Sequence, residues 1–185
     1  MLWFLTGPVD SGKSRWTRCL VDVIKNTLNF RVGGIINNAL FEKNEKVGYL
    51  CESLISGETC LFARFRDQKK HENDIVCGKW VIFEVGLSFA QRSLQRALHE
   101  EVQLIVVDEF GILENQGRGL RSQIDALITA NQNVLVIVRD SLLEFVKEIY
   151  DSYPYTVLYI GDLGCDKEAL KGSVVFQWFL DKDHV

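Results

Sequence analysis

The chain has 185 residues, 47% of them apolar and 25% charged, with a formal net charge of −4 at pH 7. A chain of that length buries one core without needing disulfides or structural metals. The composition is globular rather than disordered, and the acidic balance argues against a nucleic-acid partner. One domain over residues 1–185 is therefore expected.

Leu2 to Thr6 is a continuous apolar run ending at glycine, the pattern of a buried parallel strand. The apolar start MLWFLTG reaches that glycine too soon for a signal peptide or a membrane span of about 20 residues, which points to a cytoplasmic protein without membrane contact. From Lys13 to about Leu28, Trp16, Cys19, Leu20, Val23 and Ile24 recur at spacings of three and four and predict a helix with one apolar face.

A second strand is expected over Val32 to Asn37. The stretch from Val47 to Phe65 reads as a β-hairpin turning at Ser56-Gly57-Glu58. Arg66 to Asp74 is almost wholly polar and reads as an exposed, mobile loop. Its basic cluster with Arg64 (Arg66, Lys69, Lys70) is followed by Glu72 and Asp74, as in a solvated loop. A strand over Trp80 to Val85 follows. Then come helices near Ser88–Glu100, Leu120–Ala130 and Leu142–Tyr150, alternating with strands Leu104–Val107, Val134–Val138 and Thr156–Ile160. Such alternation, with strands lacking a polar face, implies an α/β fold: a mostly parallel sheet with helices on both faces. Ser173 to Leu180 is apolar with no evident role. The five cysteines (Cys19, Cys51, Cys60, Cys77, Cys165) include no C-x-x-C pair and are expected to be reduced.

Two segments carry chemistry. Gly7-Pro8-Val9-Asp10-Ser11-Gly12-Lys13-Ser14 fits G-x-x-x-x-G-K-[ST], the Walker A or P-loop pattern, between a strand and a helix. By chance it arises in a chain of this size at a rate on the order of 1%. The glycines let backbone N–H groups turn inward onto phosphate oxygens, and the helix N-terminus adds partial positive charge. Lys13 can reach the β and γ phosphates, and the Ser14 hydroxyl can ligate a magnesium ion bridging them. The expected ligand is thus a nucleoside triphosphate such as ATP or GTP, with Mg2+ as cofactor.

The second segment is Asp108-Glu109 at the end of the strand LIVV. Asp108 is the expected Walker B acid, holding magnesium together with Ser14. Glu109 can accept a hydrogen bond from a water in line with the γ-phosphate. Lys13, Asp108 and Glu109 form the expected catalytic set. Glu114 could serve magnesium-bound water or brace a loop, and Arg118, Arg121 and Arg139 are candidates to approach the γ-phosphate, each also readable as a surface residue.

With these residues in place, the sequence resembles the small nucleoside-triphosphatase family that includes the cancer-related nucleoside triphosphatase and the bacterial and archaeal THEP proteins. The likeness runs through WFLTGPVDSGKS, RVGGIINN, KVGYLCESLISGE and LIVVDEFGILE to VLVIV, and DEFGILE matches an extended signature D-E-x-G-x-x-E. The chain departs from the relatives at Asn44 and Lys46, where they often carry arginines. The resemblance implies a three-layer, RecA-like sheet, magnesium-dependent hydrolysis of several nucleoside triphosphates, and a nucleotide site lined by Leu104, Ile105, Val106, Val107, Asp108, Glu109, Phe110 and Gly111. A glutamate after the Walker B aspartate also implies, by analogy with such proteins, that Val134–Val138 lies between the P-loop strand and the aspartate strand. A small-molecule phosphotransferase and a nucleotide-gated adaptor share the P-loop and remain the alternatives. A monomer is the simplest assembly.

Overall fold

The structure, a computed structural model, describes residues 1–66 and 71–182. In chain order the elements are β1 (Leu2–Thr6), α1 (Lys13–Leu28), β2 (Val32–Glu42), β3 (Glu45–Ser53), β4 (Thr59–Phe65), β5 (Ile75–Cys77), β6 (Trp80–Ile82) and α2 (Glu84–His99). They continue with β7 (Leu104–Phe110), the single turn α3 (Ile112–Asn115), α4 (Arg121–Thr129), β8 (Val134–Val138), α5 (Leu143–Ile149), β9 (Tyr155–Tyr159), α6 (Lys167–Lys171) and α7 (Val174–Lys182).

The strands form one sheet in the order β5-β6-β4-β3-β2-β7-β8-β1-β9. From β2 to β9 the pairings are parallel, and from β2 outward to β5 they are antiparallel. The parallel part behaves as the strand patterns predict. Successive residues of β7 alternate between two core layers, Ile105 and Val107 facing one way and Leu104 and Val106 the other. One layer is closed by α2, α4 and α5 through Ala90, Leu94, Ile124, Leu127 and Val146. The other is closed by α1, α6 and α7 through Trp16, Leu20, Ile24, Leu170, Phe176 and Phe179. This is the three-layer architecture the resemblance implies, with β8 lying between β1 and β7 as expected.

Four segments differ from the sequence reading. β2 runs on to Glu42 rather than ending near Asn37, and turns into β3 through Lys43 and Asn44, both left-handed (φ 48° and 65°). The hairpin turning at Ser56–Glu58 is present beside it, so the antiparallel region is a larger meander than one hairpin. Trp80 to Val85 is not one strand. β6 stops at Ile82, and α2 begins at Glu84, whose N–H donates to the Asp74 carboxylate at 3.0 Å. Asp74, read as part of an exposed loop, is buried, and it also accepts the His71 N–H at 2.7 Å. The 67–70 part of that loop, with Lys69 and Lys70, lies outside the described residues. Finally, Ser173–Leu180 acquires a role: in α7, Phe179 and Trp178 pack against Trp3 at ring-centroid distances of 6.2 and 5.3 Å and seal the α1 side of the sheet. Burying a large apolar side chain of this kind contributes about 1.5–3 kcal/mol. Among the described residues the cysteines are free, and no helix is long and apolar enough to cross a membrane.

Candidate active site

The site lies at the carboxyl ends of β1, β8 and β7, where ligands bind in open α/β sheets. β1 delivers Thr6, whose buried hydroxyl donates to the Val138 carbonyl at 3.2 Å and ties the end of β1 to the end of β8. The chain then rises into an exposed crest, Pro8 to Gly12, and re-enters the protein as α1. Gly12 sits at φ 91° immediately before the helix, a conformation a side chain would strain. Trp16 N–H donates to the Gly12 carbonyl at 2.8 Å, closing the first helical turn directly under the loop.

Lys13 is 9% exposed, and its ammonium donates to the carbonyls of Gly7 (2.8 Å) and Pro8 (2.7 Å). Burial pushes its pKa below the usual lysine value, against the pull of the Glu109 and Asp108 charges. Carbonyls are weaker partners for an ammonium than phosphate oxygens, so these contacts are ones an anion can replace.

Asp108 lies on the same face of β7 as Leu104 and Val106, the face that α1 covers, and is 3% exposed. Its carboxylate accepts the Asn37 N–H at 3.1 Å and lies beside the Ser14 hydroxyl, which favours its charged form. Burial raises its pKa to about 7 against the opposing effect of the nearby Ser14 hydroxyl, with the Glu109 charge adding to the rise. The Asn37 side-chain amide donates to the Asp108 carbonyl, so β2 holds the aspartate at both backbone and side chain. The side-chain oxygen of Asn37 is buried without a hydrogen-bond partner.

At Glu109 the β7–β8 register shifts: Asp108 pairs with Ile137 and Phe110 with Val138, leaving Glu109 as the extra residue. Such a bulge re-aims a side chain at a strand end. Here the Glu109 carboxylate meets the Arg139 guanidinium at 2.6 Å, both side chains being 36% exposed.

Of the stretch 104–111, Leu104, Ile105, Val106 and Val107 are at most 1% exposed and fill the two core layers, and Phe110 is fully buried. Their side chains do not line an opening. They carry Asp108 and Glu109 to the sheet edge, and the expectation narrows to those two, with Gly111 turning the chain beyond them. Glu114 proves to be a brace: its buried carboxylate accepts the N–H groups of Gly111 and Leu120, each at 2.9 Å.

The three arginine candidates separate. Arg121 is held by Asp125 at 2.9 Å and lies over the Phe110 and Tyr150 rings, whereas the Arg118 side chain is exposed. Arg139 alone among them meets a residue of the site.

Two contributors escape the sequence reading. Asn37 gives no local signal, because its role depends on β2 lying beside β7. Lys46 reaches from β3 to Asp10 on the loop crest at 2.6 Å. That hydrogen bond, chiefly, holds the Asp10 carboxyl below the usual range.

Among the described residues no cluster of three or more His, Cys, Asp or Glu could hold a metal by itself. The Ser14–Asp108 pair offers two hard oxygen donors instead. That set suits a cation such as magnesium, which commonly takes one or two protein oxygens and completes its shell with water and phosphate.

Comparison with known proteins identifies relatives of the chain and of its fold. The chain is similar to nucleoside-triphosphatase THEP1 of Methanocaldococcus jannaschii, 24% identical over 155 residues that cover 83% of this chain and 87% of that protein. It is also similar to that of Korarchaeum cryptofilum, 32% identical over 114 residues covering 60% and 55%. Among solved structures, the fold matches the human cancer-related nucleoside triphosphatase with a TM-score of 0.67 at 17% identity, covering 98% of this chain and 96% of that one. It matches THEP1 from Aquifex aeolicus with a TM-score of 0.65 at 19% identity, covering 98% of both. The sequence model of the family described as NTPase matches residues 3–164, and the chain belongs to that family.

Proposed function

We propose that this protein is a magnesium-dependent nucleoside-triphosphatase that hydrolyses ATP, GTP and related nucleotides to the diphosphate and phosphate. The reading is carried by the placement of the buried Asp108 carboxylate, at the carboxyl end of β7, beside the Ser14 hydroxyl in the first turn of α1. Membership of the NTPase family and the similarity to nucleoside-triphosphatases support it.

In this reading the P-loop N–H groups and Lys13 hold the β and γ phosphates, Lys13 exchanging its carbonyl partners for phosphate oxygens. Ser14 and Asp108 would hold magnesium, whose charge offsets that of the phosphates. Glu109 orients the attacking water and accepts its proton.

Two outcomes are expected. A carboxyl with a pKa of about 7 must lose its proton to bind a cation. Apparent magnesium affinity in the presence of nucleotide should therefore weaken by about tenfold per pH unit below 7 and level off above it. The stability sign is opposite: because the folded-state value lies above the unfolded one, the nucleotide-free protein loses stability as pH rises from about 4 to 7. Phosphate release measured against magnesium at pH 6, 7 and 8 tests the reading. Turnover that persists in excess chelator, or magnesium dependence without any pH trend, would contradict it.

The second outcome concerns Asp10, a carboxylate at the crest of a loop that takes phosphates. Lys46→Ala removes its partner and should weaken triphosphate binding about fivefold, near 1 kcal/mol. Asp10→Ala in the same chain should restore the loss, as titration calorimetry would read. A double variant no better than the single one would mean that Lys46 acts on the nucleotide itself.

A further inference from the structure

Arg139 stands where three parts of the site meet. It follows the last residue of β8, the strand between the P-loop strand and the Asp108 strand. Its N–H donates to the Phe110 carbonyl at 3.1 Å, and the preceding carbonyl accepts the Thr6 hydroxyl at 3.2 Å. Its backbone is thus fixed to both β7 and β1, while its side chain spends one nitrogen on Glu109 and leaves Nε buried without a partner.

We propose that Arg139 reads the γ-phosphate: without nucleotide it parks Glu109, and a bound triphosphate draws the guanidinium away, freeing that carboxylate for the water. This rests on the hydrolase reading of the same site and adds to it how triphosphate is told from diphosphate.

A permanent structural pair would be more enclosed. With both partners about one-third exposed, the Arg139–Glu109 bridge is of the kind that contributes little to stability. Only one Arg139 nitrogen reaches Glu109, whereas a phosphate group can take two parallel N–H bonds and still offers an oxygen to donors the carboxylate leaves unused. Lys13 is in a similar position, resting on carbonyls of its own loop. Both cations nearest the site therefore sit on partners that a triphosphate can displace. A diphosphate, with nothing at the γ position, leaves Arg139 on Glu109.

The test is equilibrium binding, with magnesium, of adenosine diphosphate and of a non-hydrolysable adenosine triphosphate analogue. It would be run on the wild type, Arg139→Ala, Arg139→Lys and Glu109→Gln, each first checked for an unchanged melting temperature. Arg139→Ala should lose about tenfold or more of the preference for the triphosphate analogue while binding diphosphate within about twofold of wild type. Arg139→Lys, which keeps the charge without the fork, should fall between. Glu109→Gln removes the charge that parks Arg139 and should bind the analogue more tightly, with diphosphate unaffected. Retention of the full preference in Arg139→Ala, or an equal loss for both ligands in a folded variant, would overturn the proposal. If Arg139→Ala does not fold, the lysine and glutamine variants decide alone: unchanged selectivity in both overturns it. Because binding is read without turnover, a failure of hydrolysis in the wild type would count against the hydrolase reading and leave this result standing.

Discussion

Glutamine at position 109 is expected to lower kcat by about 10²–10³-fold without weakening nucleotide binding. The substitution keeps the size of the side chain and its position on the β7 bulge, but removes the charge that can accept a proton from water. Asp108, Ser14 and Lys13, which would hold magnesium and phosphate, are untouched. Single-turnover phosphate release together with nucleotide titration separates the two effects. Unchanged turnover would remove Glu109 from the chemistry and leave its pairing with Arg139 as a structural contact. A parallel loss of binding would mean that the side chain helps build the pocket.

The second large effect is on folding. Gly34 lies on β2 opposite Val106 of β7, in the parallel step that joins the antiparallel region to the rest of the sheet. Its φ is 95°, and a Cβ there would stand 2.0 Å from the Val106 carbonyl oxygen and 2.7 Å from the Val106 nitrogen. Neither strand can retreat without breaking the ladder that supports Asn37 and, through it, Asp108. Gly34→Ala should therefore cost about 4 kcal/mol or more, with a melting temperature lower by about 8–16 °C or no folded protein at all. Gly57 is the control: its φ of 73° is also unfavourable for a side chain, but nothing lies within 4 Å of its would-be Cβ. Gly57→Ala should cost only about 1–2 kcal/mol. Equal melting temperatures for the two variants would show that the close approach at Gly34 is not limiting.

What the sequence reveals follows the range of the interactions involved. β1, the P-loop and α1 are legible because strand, glycines and amphipathic helix are neighbours in the chain, and each residue of the pattern has its task within a few positions. The extent of β2 is not legible. Its turn lacks the Asn-Gly or Asp-Gly pair that usually marks a tight hairpin and relies on Lys43 and Asn44 in left-handed conformations. The start of α2 depends on Asp74, ten residues away, so the alternating residues from Trp80 onward suggest more strand than forms. α7 reads only as an apolar segment, because the surface it covers belongs to Trp3 of β1 and to Phe30, just past α1.

The same holds in the site. Ser14 and Asp108 announce themselves by pattern and by position at a strand end. Asn37 does not, since it meets Asp108 across 71 residues of sequence. Lys46 stands in the same relation to Asp10, whereas Arg139 is a candidate from the sequence and only its pairing with Glu109 is not legible there. For Leu104 to Val107 the resemblance implies residues lining the nucleotide site, whereas burial assigns their side chains to the core.

The most direct measurement is phosphate release by the purified protein supplied with magnesium and one nucleoside triphosphate at a time, with no second substrate, beside its Lys13→Ala variant. Steady release from more than one nucleotide is expected, and none above background in the variant, whose P-loop has lost its cation. Tight, Lys13-dependent binding of nucleotide without release would contradict it, and would assign the γ-phosphate to an acceptor other than water.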